Sequence, residues 1–195
     1  MKKLSEGKIY IISAPGGTGK TTLVQKLLDE FSNVKRSITC TTRKPRKGEV
    51  QGEDYHFLNQ TEFDAMVLDG DFLEYVSLYD CAYGTPKKWV LEQKAKGYHV
   101  VLVIDTQGAL ALKDKIEAIL IFLSPPSIEE LRKRLEGRKT ENSKDVEKRI
   151  SLAEHEIAQA KHYDYHITND NLEDAYRVLR SIFIAEEYKV EKNYE

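Results

Sequence analysis

Residues 13–21 read SAPGGTGKT, and no other stretch of this 195-residue chain limits its fold as much. Gly16, Gly17 and Gly19 crowd ahead of Lys20 and Thr21, between the apolar run KIYIISA and the segment TTLVQKLLDEF, where Leu23, Leu27, Leu28 and Phe31 recur at helical spacing. The order is strand, loop, helix. A loop so placed turns successive backbone N–H groups toward one point, and the helix N-terminus adds partial positive charge there. Glycines let an anion's oxygens approach the backbone closely, the lysine reaches the outer phosphates of a nucleotide, and the threonine hydroxyl can ligate Mg²⁺. A tight turn without a ligand is the plainer use of such glycines. The usual spacing GxxxxGK[ST] asks for glycine at position 14, where this chain has Ala14. Alanine suits a strand-like backbone and is disfavoured at positive φ. Position 14 is therefore expected to close the strand, and the later glycines to make the cradle.

Two further apolar runs follow. YHVVLVID ends in Asp105 and is expected to turn at Gly108, and AILIFLS runs into Pro125 and Pro126. Unbroken Val, Ile and Leu suit strands covered on both faces. Ser127 and Glu130 form a capping-box pattern ahead of SIEELRKRLEGR, with Ile128, Leu131 and Leu135 as its apolar stripe. A helix is expected over SKDVEKRISLAEHEIAQA, a short strand over YDYHITND and a closing helix over NLEDAYRVLRSIFIAEEYKV. Alternating strands and helices predict an α/β core with a mostly parallel sheet. Residues 37–88 break that alternation with short β-like pieces, SITCTT, DYHFL and FLEYVSLYDCAYGT, and read as a small β-rich insertion carrying a binding surface. The polar stretch GRKTENSKD, 137–145, reads as a solvated loop.

An acid that ends an apolar strand beside a phosphate loop can hold Mg²⁺ through water, which makes Asp105 a candidate. A solvent-facing acid is the alternative. Within TCTTRKPRKGEVQGEDY, Arg43 and Arg46 can each grip a phosphate through two parallel hydrogen bonds and Tyr55 adds a hydroxyl. A solvated basic turn is the bland reading of the same residues.

Composition excludes several classes. A net charge of −2 argues against bulk nucleic-acid binding. No apolar run approaches the roughly 18 residues of a membrane span, and the first residues lack the pattern of a secretory signal, so a cytoplasmic location is expected. Cys40 and Cys81 stand alone, without zinc or disulfide spacing.

SAPGGTGKTTL, TTRKPRKGEVQGEDYHF, FLEY, YGT, IDTQGA, PPSIEELRKRLEGR and YDYHITND stand in the order and spacing of the guanylate kinases, which the chain resembles from about Lys8 to the last helix. The resemblance implies a P-loop three-layer α/β fold with a small β-rich GMP-binding insertion and a helical lid. It also implies one domain over 7–187, with core segments 1–36, 89–124 and 151–195, insertion 37–88 and lid 125–150. It implies that Arg43, Arg46, Tyr55 and Tyr83 hold the GMP phosphate and that Thr39, Glu74 and Thr85 read the base. Glu49, Gly84 and Asp105 join the acceptor pocket. ATP falls to Ala14, Pro15, Gly16, Gly17, Thr18, Gly19, Lys20, Thr21 and Thr22, with Asn169 near the adenine, and Mg²⁺ to Thr21 and, through water, Asp105. Asn169 can equally be a turn or helix cap. Guanine offers N1–H and an amine on one edge, so a carboxylate such as Glu74 can accept both, whereas adenine offers no such pair. Without the motifs, Glu74 would read as a sheet-edge charge. Two positions depart from the family: Val103 stands where an acid is frequent, and Thr39 where serine is.

The implied reaction is ATP + GMP to ADP + GDP, with dGMP a second candidate acceptor. Two anions must meet, which requires cations. Lys20, Arg43, Mg²⁺ and the lid arginines Arg134, Arg138 and Arg149 are the candidates. Arg134 and Arg138, four apart, share one helix face, although such a face can also be merely solvated. A guanylate-kinase-like interaction module has no use for that set together with Lys20, Thr21 and Asp105. Glu74 and Thr39 speak against a different acceptor. Monomer and homodimer both remain open.

Overall fold

The computed structural model describes residues 6–78, 80–137 and 143–190. In chain order the elements are β1 Ile9–Ser13, α1 Lys20–Glu30, β2 Val34–Arg36, β3 Cys40–Thr41, β4 His56–Phe57, α2 Gln60–Leu68, β5 Phe72–Leu78, β6 Cys81–Pro86, α3 Lys87–Ala95, β7 His99–Val103, α4 Thr106–Leu112, β8 Ile119–Ser124, α5 Ile128–Glu136, α6 Ser143–Ala158, a 3₁₀ turn Gln159–His162, β9 Tyr165–Thr168 and α7 Leu172–Glu187. Five strands form one sheet in the order β2-β7-β1-β8-β9, and all its pairings are parallel.

β1 is buried at every position, and its period of two divides it between two cores. Tyr10 and Ile12 pack with Leu23 and Leu27 of α1 and Leu179 and Phe183 of α7. Ile9 and Ile11 pack on the other face with Val90 of α3 and Ala109 and Leu112 of α4. Helices therefore cover both faces, and the chain has the expected three-layer α/β architecture. No helix among the described residues is long and apolar enough to cross a membrane.

A second sheet, β4-β3-β6-β5, is antiparallel except for β3 against β4. It carries its own cluster of Cys40, Phe63 and Phe72. Phe63 belongs to α2, a helix inside the segment that the sequence reads as β-rich. Its signal is Asn59 with Glu62, a complete capping box in which Asn59 Oδ1 accepts from Glu62 N at 2.9 Å and Glu62 Oε2 accepts from Asn59 N at 2.8 Å. The box expected at Ser127 is half made: Ser127 Oγ accepts from Glu130 N at 3.1 Å, while the Glu130 carboxylate turns to Arg134 Nε at 3.3 Å.

The turn expected at Gly108 is instead part of α4. The Asp105 carboxylate caps that helix by accepting from Gly108 N at 2.7 Å. α5 and α6 pack on each other through Leu131, Leu135, Val146, Ile150 and Ala153. α6 is continuous from 143 to 158 and so carries Arg149 and the residues beyond 150 on one rigid rod.

Candidate functional site

A cavity of about 250 Å³ opens where β1 and β7 end, and three walls enclose it. Ligands in open α/β sheets bind at these carboxyl ends.

The first wall is the glycine-rich loop, through Ala14, Gly16 and Lys20. Ala14 follows β1 directly and is buried, and the sole described non-glycine residue at positive φ is Asp80. Gly17 and Gly19 carry the positive φ, 95° each. A β-carbon on Gly17 would lie 3.0 Å from Leu135, and one on Gly19 would lie 2.6 Å from the Asn169 amide. Gly19 caps α1 without a side-chain bond, so the first N–H groups of the helix are left for an anion. The Thr18 hydroxyl is buried and has no partner among the described residues. Lys20 Nζ lies 3.4 Å from the Ala14 carbonyl. Burial holds that ammonium below its ordinary value, against the opposing fields of Glu156 and Asp105.

The second wall is the smaller sheet and its loops, with Thr39, Arg46, Tyr55, Glu74 and Tyr83 on the cavity. Glu74 is only 8% exposed and accepts from Thr85 Oγ1 at 2.6 Å. Burial pushes its carboxyl up to about 7, with the Thr85 bond opposing and the Asp105 charge adding. Gly84 and Thr85 are buried. A hydroxyl has one proton, and Thr85 has given it to Glu74, so Thr85 orients that carboxylate.

Arg43 and Glu49 do not border the cavity. Arg43 Nη1 and Nη2 donate to the two Glu49 oxygens at 3.0 and 2.8 Å, and its guanidinium lies 5.2 Å from the centre of the Tyr55 ring. Glu49 also accepts from Arg46 N at 2.6 Å. Arg43 thereby holds the Glu49 carboxyl below its usual range.

The third wall is α6, whose Arg149, Leu152 and Glu156 face the cavity at i, i+3 and i+7. Glu156 escapes the sequence reading. It is 8% exposed, and burial pushes its carboxyl up to about 7 against the pull of Lys20. Its spacing from Arg149 is the signal that could have found it, since one face of a helix repeats at that interval. Val103 and Asp105 complete the cavity at the end of β7.

Other candidates stand off it. Pro15, Gly17, Thr18, Gly19, Thr21 and Thr22 belong to the loop and the start of α1 without lining the cavity. Arg134 Nη1 donates to the Asn169 carbonyl at 3.1 Å, and Asn169 is buried with its amide on the Thr18 carbonyl at 2.6 Å. Arg138 lies outside the described residues.

A pH effect follows from Glu74. If Glu74 reads the base, as the resemblance implies, only its ionised carboxylate can accept both donors of guanine, and burial pushes that carboxyl up to about 7. kcat/KM for GMP, which at saturating ATP reports the ATP-bound enzyme before GMP binds, is expected to fall about tenfold per pH unit below that value, as measured in initial-rate profiles. A profile for kcat/KM that stays flat down to pH 6 would contradict it.

A guanylate kinase family model matches residues 6–186. The guanylate kinase of Protochlamydia amoebophila is 54% identical over 190 residues, covering 97% of this chain and 96% of the relative. That of Chlamydia trachomatis is 46% identical over 94% of this chain and 90% of its own length. The crystal structure of guanylate kinase from Anaplasma phagocytophilum superposes with a TM-score of 0.80 at 34% identity, over 95% of this chain and 89% of that one. With the family model spanning nearly the whole fold and these relatives matching almost end to end, the chain belongs to the guanylate kinase family.

Proposed function

We propose that the three walls divide between them the work of moving the γ-phosphoryl group of ATP onto the phosphate of GMP, giving ADP and GDP. The observation that carries this reading is the facing of the phosphate loop, through Gly16 and Lys20, by the Thr85-oriented carboxylate of Glu74 across one cavity. One side suits an anion, the other a base edge with two donors.

In this reading the loop from Ala14 to Thr22 cradles the ATP phosphates with its backbone N–H groups, and Lys20 neutralises charge on the transferring group. Arg46, Tyr55 and Tyr83 grip the GMP phosphate. Arg43, fixed by Glu49 and packed against Tyr55, directs what remains of its donor fork there. Thr39 and Glu74 meet the guanine, with Thr85 and Gly84 behind them. The acceptor is already an anionic phosphate, so no strong general base is needed. Arg134 on α5 and Arg149 on α6 bring positive charge, Arg138 of the same lid adds to it, and the lid, read as 125–150 and carried on by the unbroken α6, closes over ATP to exclude water. The segment 37–88 serves as the acceptor-binding insertion on a core of 1–36, 89–124 and 151–195.

The residues also fit the divalent ion that such a reaction uses. The described residues hold no cluster of three or more His, Cys, Asp or Glu able to bind an ion alone. Mg²⁺ takes most of its ligands from phosphates and water, with one or two oxygens from protein. Thr21, in the first turn of α1, and Asp105, on the cavity, would supply these, the second through water. Once bound, the ion offsets charge on the β- and γ-phosphates.

The test is a steady-state assay with ATP and Mg²⁺ against GMP, dGMP, AMP, UMP and dTMP. GMP is expected to exceed AMP in kcat/KM by about 10⁴ or more, because a buried carboxylate left without its donors rejects the analogue. Folded protein that forms no ADP in the presence of GMP would overturn the proposal.

A further inference from the structure

Asn169 follows β9 and is buried, and its backbone N–H, backbone carbonyl and side-chain nitrogen are all engaged. Its N–H donates to the Ser124 carbonyl at 2.8 Å, prolonging the pairing of β8 with β9. Its carbonyl accepts from Arg134 Nη1 at 3.1 Å. Its side-chain nitrogen donates to the Thr18 carbonyl at 2.6 Å, and because a carbonyl only accepts, this contact fixes which way the amide faces.

The Thr18–Gly19 peptide is planar and trans, so its carbonyl and the Gly19 N–H point in opposite directions. Drawing the Thr18 carbonyl onto Asn169 aims the Gly19 N–H the other way, off the amide side. Gly19 itself has no room for a β-carbon, which would sit 2.6 Å from Asn169 Nδ2. The glycine and the asparagine are therefore two halves of one contact.

We infer that Asn169 is a positioning residue for phosphoryl transfer: its amide sets the Thr18–Gly19 peptide of the phosphate cradle, and its carbonyl anchors Arg134 of α5 to the same point. The inference rests on the ATP-site reading of the loop and places the work of this amide at the phosphate cradle, where one of its donors is bound to Thr18, instead of beside the adenine. The cradle and a lid-helix cation thereby share one anchor at the end of a sheet strand.

The test uses the full chain and two probes, ATP and inorganic tripolyphosphate, which has phosphates but no base. Asn169→Ala is expected to weaken both by the same factor, about tenfold or more, as misplaced binding groups do, while KM for GMP stays within about twofold. Asn169→Asp, of equal size but with an acceptor facing the Thr18 carbonyl, should match or exceed that loss, and it supplies the measurement if the alanine variant does not fold. In a double-mutant cycle on kcat, Asn169→Ala and Arg134→Ala are expected to cost less together than the sum of their separate effects. Loss of ATP affinity with tripolyphosphate binding intact would return Asn169 to base reading and overturn the inference. So would unchanged affinity for both, or equal damage to GMP and ATP. Failure of the ATP-site reading itself is distinguishable, because wild-type protein would then bind no tripolyphosphate.

Discussion

Replacing Lys20 with alanine is expected to lower kcat by about 10² to 10³-fold, the usual cost of removing one preorganised donor at a site of developing charge, while the affinity for GMP changes by no more than a few-fold. The Lys20 ammonium lies in the phosphate-loop wall, 3.4 Å from the Ala14 carbonyl, with Asp105 and Glu156 supplying opposite charge around it. Those carboxylates oppose the burial that lowers its pKa. The charge it answers grows as the γ-phosphoryl group leaves ATP, so its effect falls mainly on the transition state and on kcat. In the proposed reading GMP is held from the opposite wall by Arg46, Tyr55, Tyr83 and Glu74, and among the described residues none of these shares a hydrogen bond or ion pair with Lys20. Initial rates give kcat, and calorimetric titration of the ATP-free variant gives the GMP affinity. Parallel loss of both would show that Lys20 serves the acceptor as well, and that the two walls are not the separate binding surfaces proposed here.

The order of the parallel core could be read from the chain because each of its signals is local. Unbroken apolar runs mark β1, β7 and β8, and glycines followed by Lys-Thr mark the loop. The elements that escaped reading lack such runs, and α2 shows only its capping box, Asn59 with Glu62. β2 is three residues long, and the turns of α2, α3 and α4 present weak or mixed apolar faces. Gly108 was misread because a glycine after an apolar strand ordinarily turns the chain. Here a β-carbon at 108 would lie 2.7 Å from Glu74 Oε2, so the glycine serves a close approach between α4 and β5. That contact joins residues 34 apart and cannot be inferred from either neighbourhood alone. The same limit applies to the site. Residue types and spacing mark Lys20, Arg46 and Glu74, but only the fold shows Glu156 across from Lys20, Arg43 committed to Glu49, and Asn169 turned into the phosphate loop.

Glu74→Gln should lower kcat/KM for GMP by about 10³ to 10⁴, a loss set by the removal of one acceptor from a buried pair. Thr85 Oγ1 already donates to Glu74 Oε1 at 2.6 Å, so the amide of the variant will place its oxygen there and turn its NH₂ toward guanine, donor against donor. AMP gains little, since nothing in the substitution builds an adenine-specific contact. The decline in kcat/KM below about pH 7 should vanish in the same variant, because an amide does not titrate. Stability carries the opposite sign. The folded carboxyl ionises near 7 and the unfolded one near 4.5, so the native state bears the burial cost of the charge fully above pH 7 and sheds it as the pH falls toward 4.5. The glutamine variant should therefore melt above the wild type at pH 8 and lose that advantage near pH 4.5, with a difference of a few kcal/mol at most. Melting curves at the two pH values, beside rates for GMP, separate the outcomes. A variant that keeps GMP selectivity would remove Glu74 from base recognition. A Tm difference that is the same at both pH values would mean that Glu74 is not the buried, reluctant acid its surroundings make it.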